Sequence, residues 1–272
     1  MLPAAVRHGR QPIAGGSPAE LYVELMKRTL CNWIYRDVHN VTLGRDPRDE
    51  QKPWRRNVLE EWREPLHTMA GFKRLDNVQL CVERVLADGI PGDLIETGVW
   101  RGGVPILMRA LLAVHGDTTR TVWVADSFQG LPPPNADQYP ADHGDLLYTI
   151  DELRVSVDQV RSHFERYGLL DDQVKFLKGW FRDTLPGAPI ERLAVMRLDG
   201  DMYESTTDAL AALYPRLSVG GYVIIDDYGC IPACRRAVHD YRSAHGITDP
   251  ILPIDWTGVY WRRQHSPAGH AA

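Results

Sequence analysis

Two carboxylates one residue apart, Asp199 and Asp201, follow the apolar run LAVMRL within the stretch LDGDMYEST. A second pair, Asp226 and Asp227, closes the run GYVII (residues 221–225). If both runs are buried strands lying side by side, Asp199, Asp226 and Asp227 meet in one partly dry crevice, where three carboxylates repel unless a cation joins them. Ligation by oxygen alone selects a hard divalent ion, Mg²⁺ first, with Ca²⁺ or Mn²⁺ as alternatives. Asp201 is then left for other work. Consecutive residues of a strand face opposite ways, so Asp226 and Asp227 can share an ion only where the backbone turns, which the Tyr-Gly after them permits. Any one of these acids alone could instead cap the helix that follows its strand.

Other run ends carry similar signals. ETGVWRGG (residues 96–103) reads as a strand-to-helix turn whose glycines, Gly98 among them, suit close approach of a ligand. A dinucleotide site would place GxGxxG there. Glu96 argues against a bound pyrophosphate, because two unit charges about 5 Å apart repel by about 3 kcal/mol at an effective dielectric near 20. S-adenosylmethionine carries an ammonium and a sulfonium and no phosphate, so the same acid favours it. Asp126 ends the next run, TVWVADSF, where a carboxylate commonly grips ribose hydroxyls. Trp180 follows the run VKFLKG, and either stacks on adenine or belongs to the core.

These residues need a scaffold that brings strand ends together. Short apolar runs at residues 93–99, 121–128, 174–179, 193–199 and 221–228 alternate with helical patterns at 104–115, 155–167 and 203–214. Strands without polar alternation are buried on both faces, and helices between them imply right-handed crossovers. The expected fold is therefore α/β, a doubly wound and mostly parallel sheet of Rossmann type. ITDPILPID and GVYWRR add a C-terminal antiparallel hairpin. Ahead of this core, residues 19–38 form an amphipathic helix with Leu21, Leu25, Leu30, Ile34 and Val38 on its apolar face, packed on a neighbouring subunit or on its own domain. Residues 44–65, with Trp54 and Trp62, read as a flap or a solvated insertion, and Thr68 caps a helix over 69–88. The organisation is thus a disordered arm (1–18), N-terminal helices with the flap (19–90), the donor-binding core (91–263) and a flexible tail (264–272).

The chain of 272 residues is 44% hydrophobic and carries a net charge of −5. That balance argues against a nucleic-acid surface, which needs a basic excess to release counterions. Cys31, Cys81, Cys230 and Cys234 are too few and too scattered for a secreted disulfide framework. No apolar h-region opens the chain and no run approaches the roughly 20 residues that span a bilayer, so a cytoplasmic setting is expected.

Read together, HTMAGFKRLDNVQLCVE, DLIETGVWRGG, VWVADSFQGLP, RYGLLDDQVKFLKGWFRDTLP, RLDGDMYEST and GGYVIIDDYGCIPACRRAV resemble the macrocin-type sugar O-methyltransferases, a family with enzymes for macrolide and aminocoumarin deoxysugars. The resemblance runs over residues 19–263. It implies methyl transfer from S-adenosylmethionine to a sugar hydroxyl of a glycosylated antibiotic, with Mg²⁺ as cofactor, in a homo-oligomer. Position by position it implies metal ligands at Asp199, Asp226 and Asp227, a general base at Asp201, and donor contacts at Thr68, Met69, Glu96, Asp126, Ser127 and Trp180. Residues 44–65 and much of 132–150 fall outside the clear match, and these would recognise the acceptor. His143, in that second stretch, competes for the base role because its ordinary pKa suits neutral pH, or is simply an exposed loop histidine. Rival readings are a glycosyltransferase holding a metal through DxD and a non-catalytic S-adenosylmethionine-binding protein.

Overall fold

A computed structural model describes residues 16–34 and 65–265. The expectations for the N-terminal arm, the 44–65 flap and the C-terminal tail lie almost wholly outside the described residues.

Seven strands form one sheet: β1 (Asp93–Thr97), β2 (Val122–Asp126), β3 (Val174–Lys178), β4 (Leu193–Leu198), β5 (Leu217–Ile225), β6 (Leu252–Pro253) and β7 (Val259–Arg262). Their order is β3-β2-β1-β4-β5-β7-β6. The first five are mutually parallel, and β7 runs antiparallel to both β5 and β6. The chain winds outward from β1 toward β3, then crosses back to β4, so the order reverses between β1 and β4. A crevice opens at that point beyond the carboxyl ends of the strands.

Helices cover both faces. On one side Leu94, Val124 and Ile224 pack with α1 (Pro18–Leu30), α2 (Phe72–Ala87), α3 (Gly103–Val114) and α4 (Val157–Arg166). On the other, Ile95, Ala125, Met196 and Ile225 pack beneath α6 (Tyr203–Leu213) and α7 (Pro232–Ala244). A short helix, α5 (Phe181–Thr184), follows β3. The alternation follows the two-residue period of a strand.

Three boundaries differ from the sequence reading. Helix α1 ends at Leu30, and its buried side is Val23, Met26 and Leu30, whereas Leu21 and Leu25 are exposed. An i, i+4 reading started one position off the buried stripe gives that error. Helix α2 begins at Phe72 after Gly71, and Thr68 does not cap it: the Thr68 hydroxyl accepts from the Ala70 amide in a local turn. Residues Pro140–Asp142, Leu147–Thr149 and Asp151–Leu153 form short 3₁₀ turns inside the stretch that sequence reading left as loop.

Candidate active site

The face of the sheet that carries Leu94, Val195 and Ile224 continues, one pleat further, into Glu96, Arg197 and Asp226. Glu96 and Arg197 are partners in the β1–β4 register. A charged residue inside the six-residue, wholly buried run LAVMRL is exceptional, and it was the one available sign of what joins the acids. Arg197 hydrogen-bonds Glu96 and Asp226, and reaches the Asp199 carboxylate at 2.8 Å. Arg74, from α2, bonds the other Asp226 oxygen and lies 3.1 Å from Asp255 in the β6–β7 connection. Thr257 of that connection donates to the Asp226 carbonyl at 2.9 Å, so the terminal hairpin braces the β5 end.

The acids are therefore not bare, as the sequence reading had them. Arg197 and Arg74 pair with Glu96, Asp199, Asp226 and Asp255, while Asp201 and Asp227 crowd against the same acids, so the carboxyl groups outnumber their guanidinium partners. Burial, with the Asp199 and Asp226 charges against the help of Arg197, pushes Glu96 up to about 8. Burial and the Asp226 charge bring Asp199 up to about 6. Asp201 is raised well above the carboxylate range by burial and then by Asp199, Asp226 and Asp145. Burial and Asp201 do the same to Asp227. Burial also pushes against ionised Asp226, but Arg197 and Arg74 outweigh it and hold that group below its ordinary value.

Asp199, Asp226 and Asp227 can each present a carboxylate oxygen within 4.8 Å of the others. Asp227 turns into this cluster because the backbone leaves the strand after Ile225, and its Oδ2 accepts from the Asp201 amide at 3.2 Å. The all-oxygen set and the surplus charge fit a hard divalent cation. Cys230, beside Asp227 and Thr257, stands just ahead of α7, and burial raises its thiol.

Next to the cluster lies a cavity open to solvent. Met69, Gly98, Asp126, Ser127, Trp180, Asp199 and Asp201 are among its walls. Gly98 has φ +81, and a Cβ there would fall 1.6 Å from the Asp199 carbonyl oxygen, so only glycine lets the β1 and β4 turns touch. Three non-glycine residues with positive φ stand at strand-end turns around this crevice: Trp100 (φ 47), Phe128 (φ 57) and Asp201 (φ 58). Such conformations cost about 1–3 kcal/mol each and concentrate at functional sites.

Asp126 accepts from the Val99 amide at 2.8 Å and from its own turn's Phe128 amide at 2.7 Å, tying the β1 and β2 turns together. Burial raises its carboxyl against those bonds. Ser127 is committed locally, donating to the Gly130 carbonyl at 2.6 Å. Thr68 and Glu96 do not line the cavity: Thr68 is buried in its turn, and Glu96 lies beneath the floor on Arg197, with Oε2 buried and without a hydrogen-bond partner. His143 is exposed and also off the cavity wall.

Known proteins resemble this chain in sequence and in fold. A profile of the Macrocin-O-methyltransferase (TylF) family matches residues 19–263. The 8-demethyl-8-(2,3-dimethoxy-alpha-L-rhamnosyl)-tetracenomycin-C 4'-O-methyltransferase of Streptomyces olivaceus is 60% identical over 250 residues, spanning 92% of this chain and 95% of the relative. The mycinamicin III 3''-O-methyltransferase of Micromonospora griseorubida is 54% identical over 247 residues, spanning 90% and 96%. Among solved structures, the O-methyltransferase NovP superposes with a TM-score of 0.82 at 49% identity, covering 91% of this chain and all of that one.

Proposed function

We propose, from the premise that this chain belongs to the macrocin O-methyltransferase family, that it methylates a deoxysugar hydroxyl of a glycosylated natural product, with S-adenosylmethionine as donor and a divalent cation, Mg²⁺ first, as cofactor. The carrying observation is that Asp201 and Asp199 open into the same cavity as Gly98, Asp126 and Trp180. A base and a donor seat then face one another across a single space. The relatives act, by their names, at the 4' oxygen of a rhamnosyl-tetracenomycin and the 3'' oxygen of mycinamicin III, and the rhamnosyl group of the first supports a sugar acceptor. Family membership leaves the glycosyltransferase and non-catalytic readings without support.

In this reading Gly98, Asp126 and Trp180 seat the donor, which when bound supplies an electrophilic sulfonium methyl. Glu96, buried on Arg197 behind the cavity wall, braces the β1 and β4 ends beneath that seat. Asp199, Asp226 and Asp227 would hold the cation, which supplies Lewis-acid acidification of the sugar hydroxyl. Asp201 lines the cavity, and a cation held beside it would offset the burial and the neighbouring acids that keep it protonated; once ionised, it accepts the hydroxyl proton as the oxygen attacks the methyl. Seating both reactants in one crevice orients them, and that ordering lowers the barrier independently of proton transfer.

Replacing Asp201 by Asn tests the assignment. Turnover is expected to fall by about 10²–10⁴, with affinity for S-adenosylhomocysteine retained, whereas His143→Gln turns over near normally. Normal turnover in the Asp201 variant would remove it as the base. No helix of the described residues is long and apolar enough to cross a membrane, and we place the enzyme in the cytoplasm. We assign the exposed Leu21 and Leu25 of α1 to contact with a second copy.

A further inference from the structure

Helix α6 starts two residues after Asp201, yet its N-cap position is Met202, which is fully buried and has no side chain able to accept from the first amides. Every helix leaves its first-turn N–H groups without intrahelical partners, and a side-chain oxygen normally answers them locally. Here the answer comes from 61 and 62 residues earlier in the chain. Asp142, in the 3₁₀ turn Pro140–Asp142, accepts from the Tyr203 amide at 2.6 Å through Oδ1 and from the Glu204 amide at 3.0 Å through Oδ2. Asp142 is only 2% exposed. A carboxylate at this end of a helix also meets the positive end of its dipole.

The same turn is packed down in other ways. Tyr139 lies against Tyr203, with ring centroids 6.1 Å apart. The Asp145 amide donates to the Asp142 carbonyl at 3.1 Å. The loop that contains Asp142 begins at Leu131 and Pro132, which line the cavity, and returns at Leu153, which lines it too. Trp100, another wall residue, donates from its indole to the Glu152 carbonyl at 2.8 Å, fixing the loop's far end. The Asp199–Met202 turn is thus held between two carboxylates: Asp227, on the Asp201 amide, and Asp142, on the first amides of the helix that follows.

We propose that Asp142 is a positioning residue for methyl transfer: by capping α6 from the 131–153 loop, it makes the placement of Asp201 depend on that loop lying closed over the cavity. This rests on the methyltransferase reading above. It gives the loop a role distinct from recognition of the acceptor, because the seating of the loop and the aim of the base become one event. Asp126 and Trp180 of the donor seat stand on the turns after β2 and β3, not on the capped turn.

The test compares wild type with Asp142→Asn and Asp142→Ala, reading amide exchange, donor-product binding and acceptor kinetics on each. Asn keeps one acceptor and Ala keeps none, so graded effects are expected. Exchange at the Tyr203 and Glu204 amides and across residues 139–147 should rise together in both variants. The affinity for S-adenosylhomocysteine should stay within about twofold while kcat/KM for the acceptor falls by about tenfold or more, most of it in kcat. A merely structural cap would lower melting temperature and donor-product affinity together and leave the kcat of the folded fraction unchanged, which would overturn the proposal. So would unchanged exchange at Tyr203 and Glu204 in the Ala variant, or a lost cap with normal kcat/KM. Wild-type protein that binds S-adenosylhomocysteine but methylates no glycoside would instead defeat the reading on which the proposal rests.

Discussion

At the β2 end of the crevice Asp126 spends its carboxylate on the backbone amides of two turns, whereas at the β4 and β5 ends Asp199 and Asp226 rest on the guanidinium groups of Arg197 and Arg74. The two regions use the same residue type at the same kind of position, and the partners make the difference. Amides are fixed in the chain, so Asp126 gives shape: it locks the β1 turn to the β2 turn along the proposed donor seat. Guanidinium groups bring full charges that only partly cancel the acids, so the β4–β5 end stays electrically unfinished. That excess is what a divalent cation would meet, and it makes this end sensitive to any change in charge.

The contrast is broken most severely by Arg197→Met. Removing one partner of a buried ion cluster leaves uncompensated charge, at a cost of about 3–5 kcal/mol. Glu96, Asp199 and Asp226 all lose a partner at once, so the urea midpoint should drop steeply. An unchanged midpoint would show that the acids hold themselves apart without the arginine.

At the other end Asp126→Asn turns one acceptor into a donor facing the Val99 or Phe128 amide. A buried amide left unsatisfied costs about 1–3 kcal/mol. The expected result is weaker binding of S-adenosylhomocysteine with Mg²⁺ affinity intact, measured by calorimetry on the same sample. Loss of both affinities in parallel would dissolve the distinction between the two regions.

The smallest effect sharpens the comparison through pH. His67, just before the Thr68–Met69 turn, is held down to about 4 by burial and then by His163, Arg101 and Arg166. Its ordinary value is 6.5, so between those limits the unfolded chain binds more protons than the fold. Stability therefore falls as pH drops from about 6.5 toward 4, and His67→Gln should flatten this slope. Parallel slopes in the two proteins would exclude His67 as the source.

Much of this was legible in the chain because β1 to β5 are short apolar runs with acids at their ends, and burial on both faces writes a signal that needs no partner to be read. Consecutive parallel strands β4 and β5 lie side by side, which sets Asp199 beside Asp226 and Asp227. What stayed hidden was the identity of partners distant in sequence. Arg74 belongs to a helix 152 positions from Asp226, and nothing in FKRLDNVQL separates it from a solvated surface arginine. Asp142 sits in a Pro-rich loop, where an acid ordinarily means solvent. Its role arises only because Met202 leaves the start of α6 uncapped. Glu96 shows the converse: its position was read correctly as a strand end, but the pairing with Arg197 turned it away from the cavity wall.

The central claim, that the β4–β5 end carries negative charge in order to hold a divalent cation, is tested most directly by titrating Mg²⁺ into the S-adenosylhomocysteine complex of wild type and of Asp199→Asn by calorimetry. Saturable binding near one ion per chain in the wild type, lost or strongly weakened in the variant, is the predicted result. Absence of Mg²⁺ binding in the wild type, or equal binding in both proteins, would contradict it.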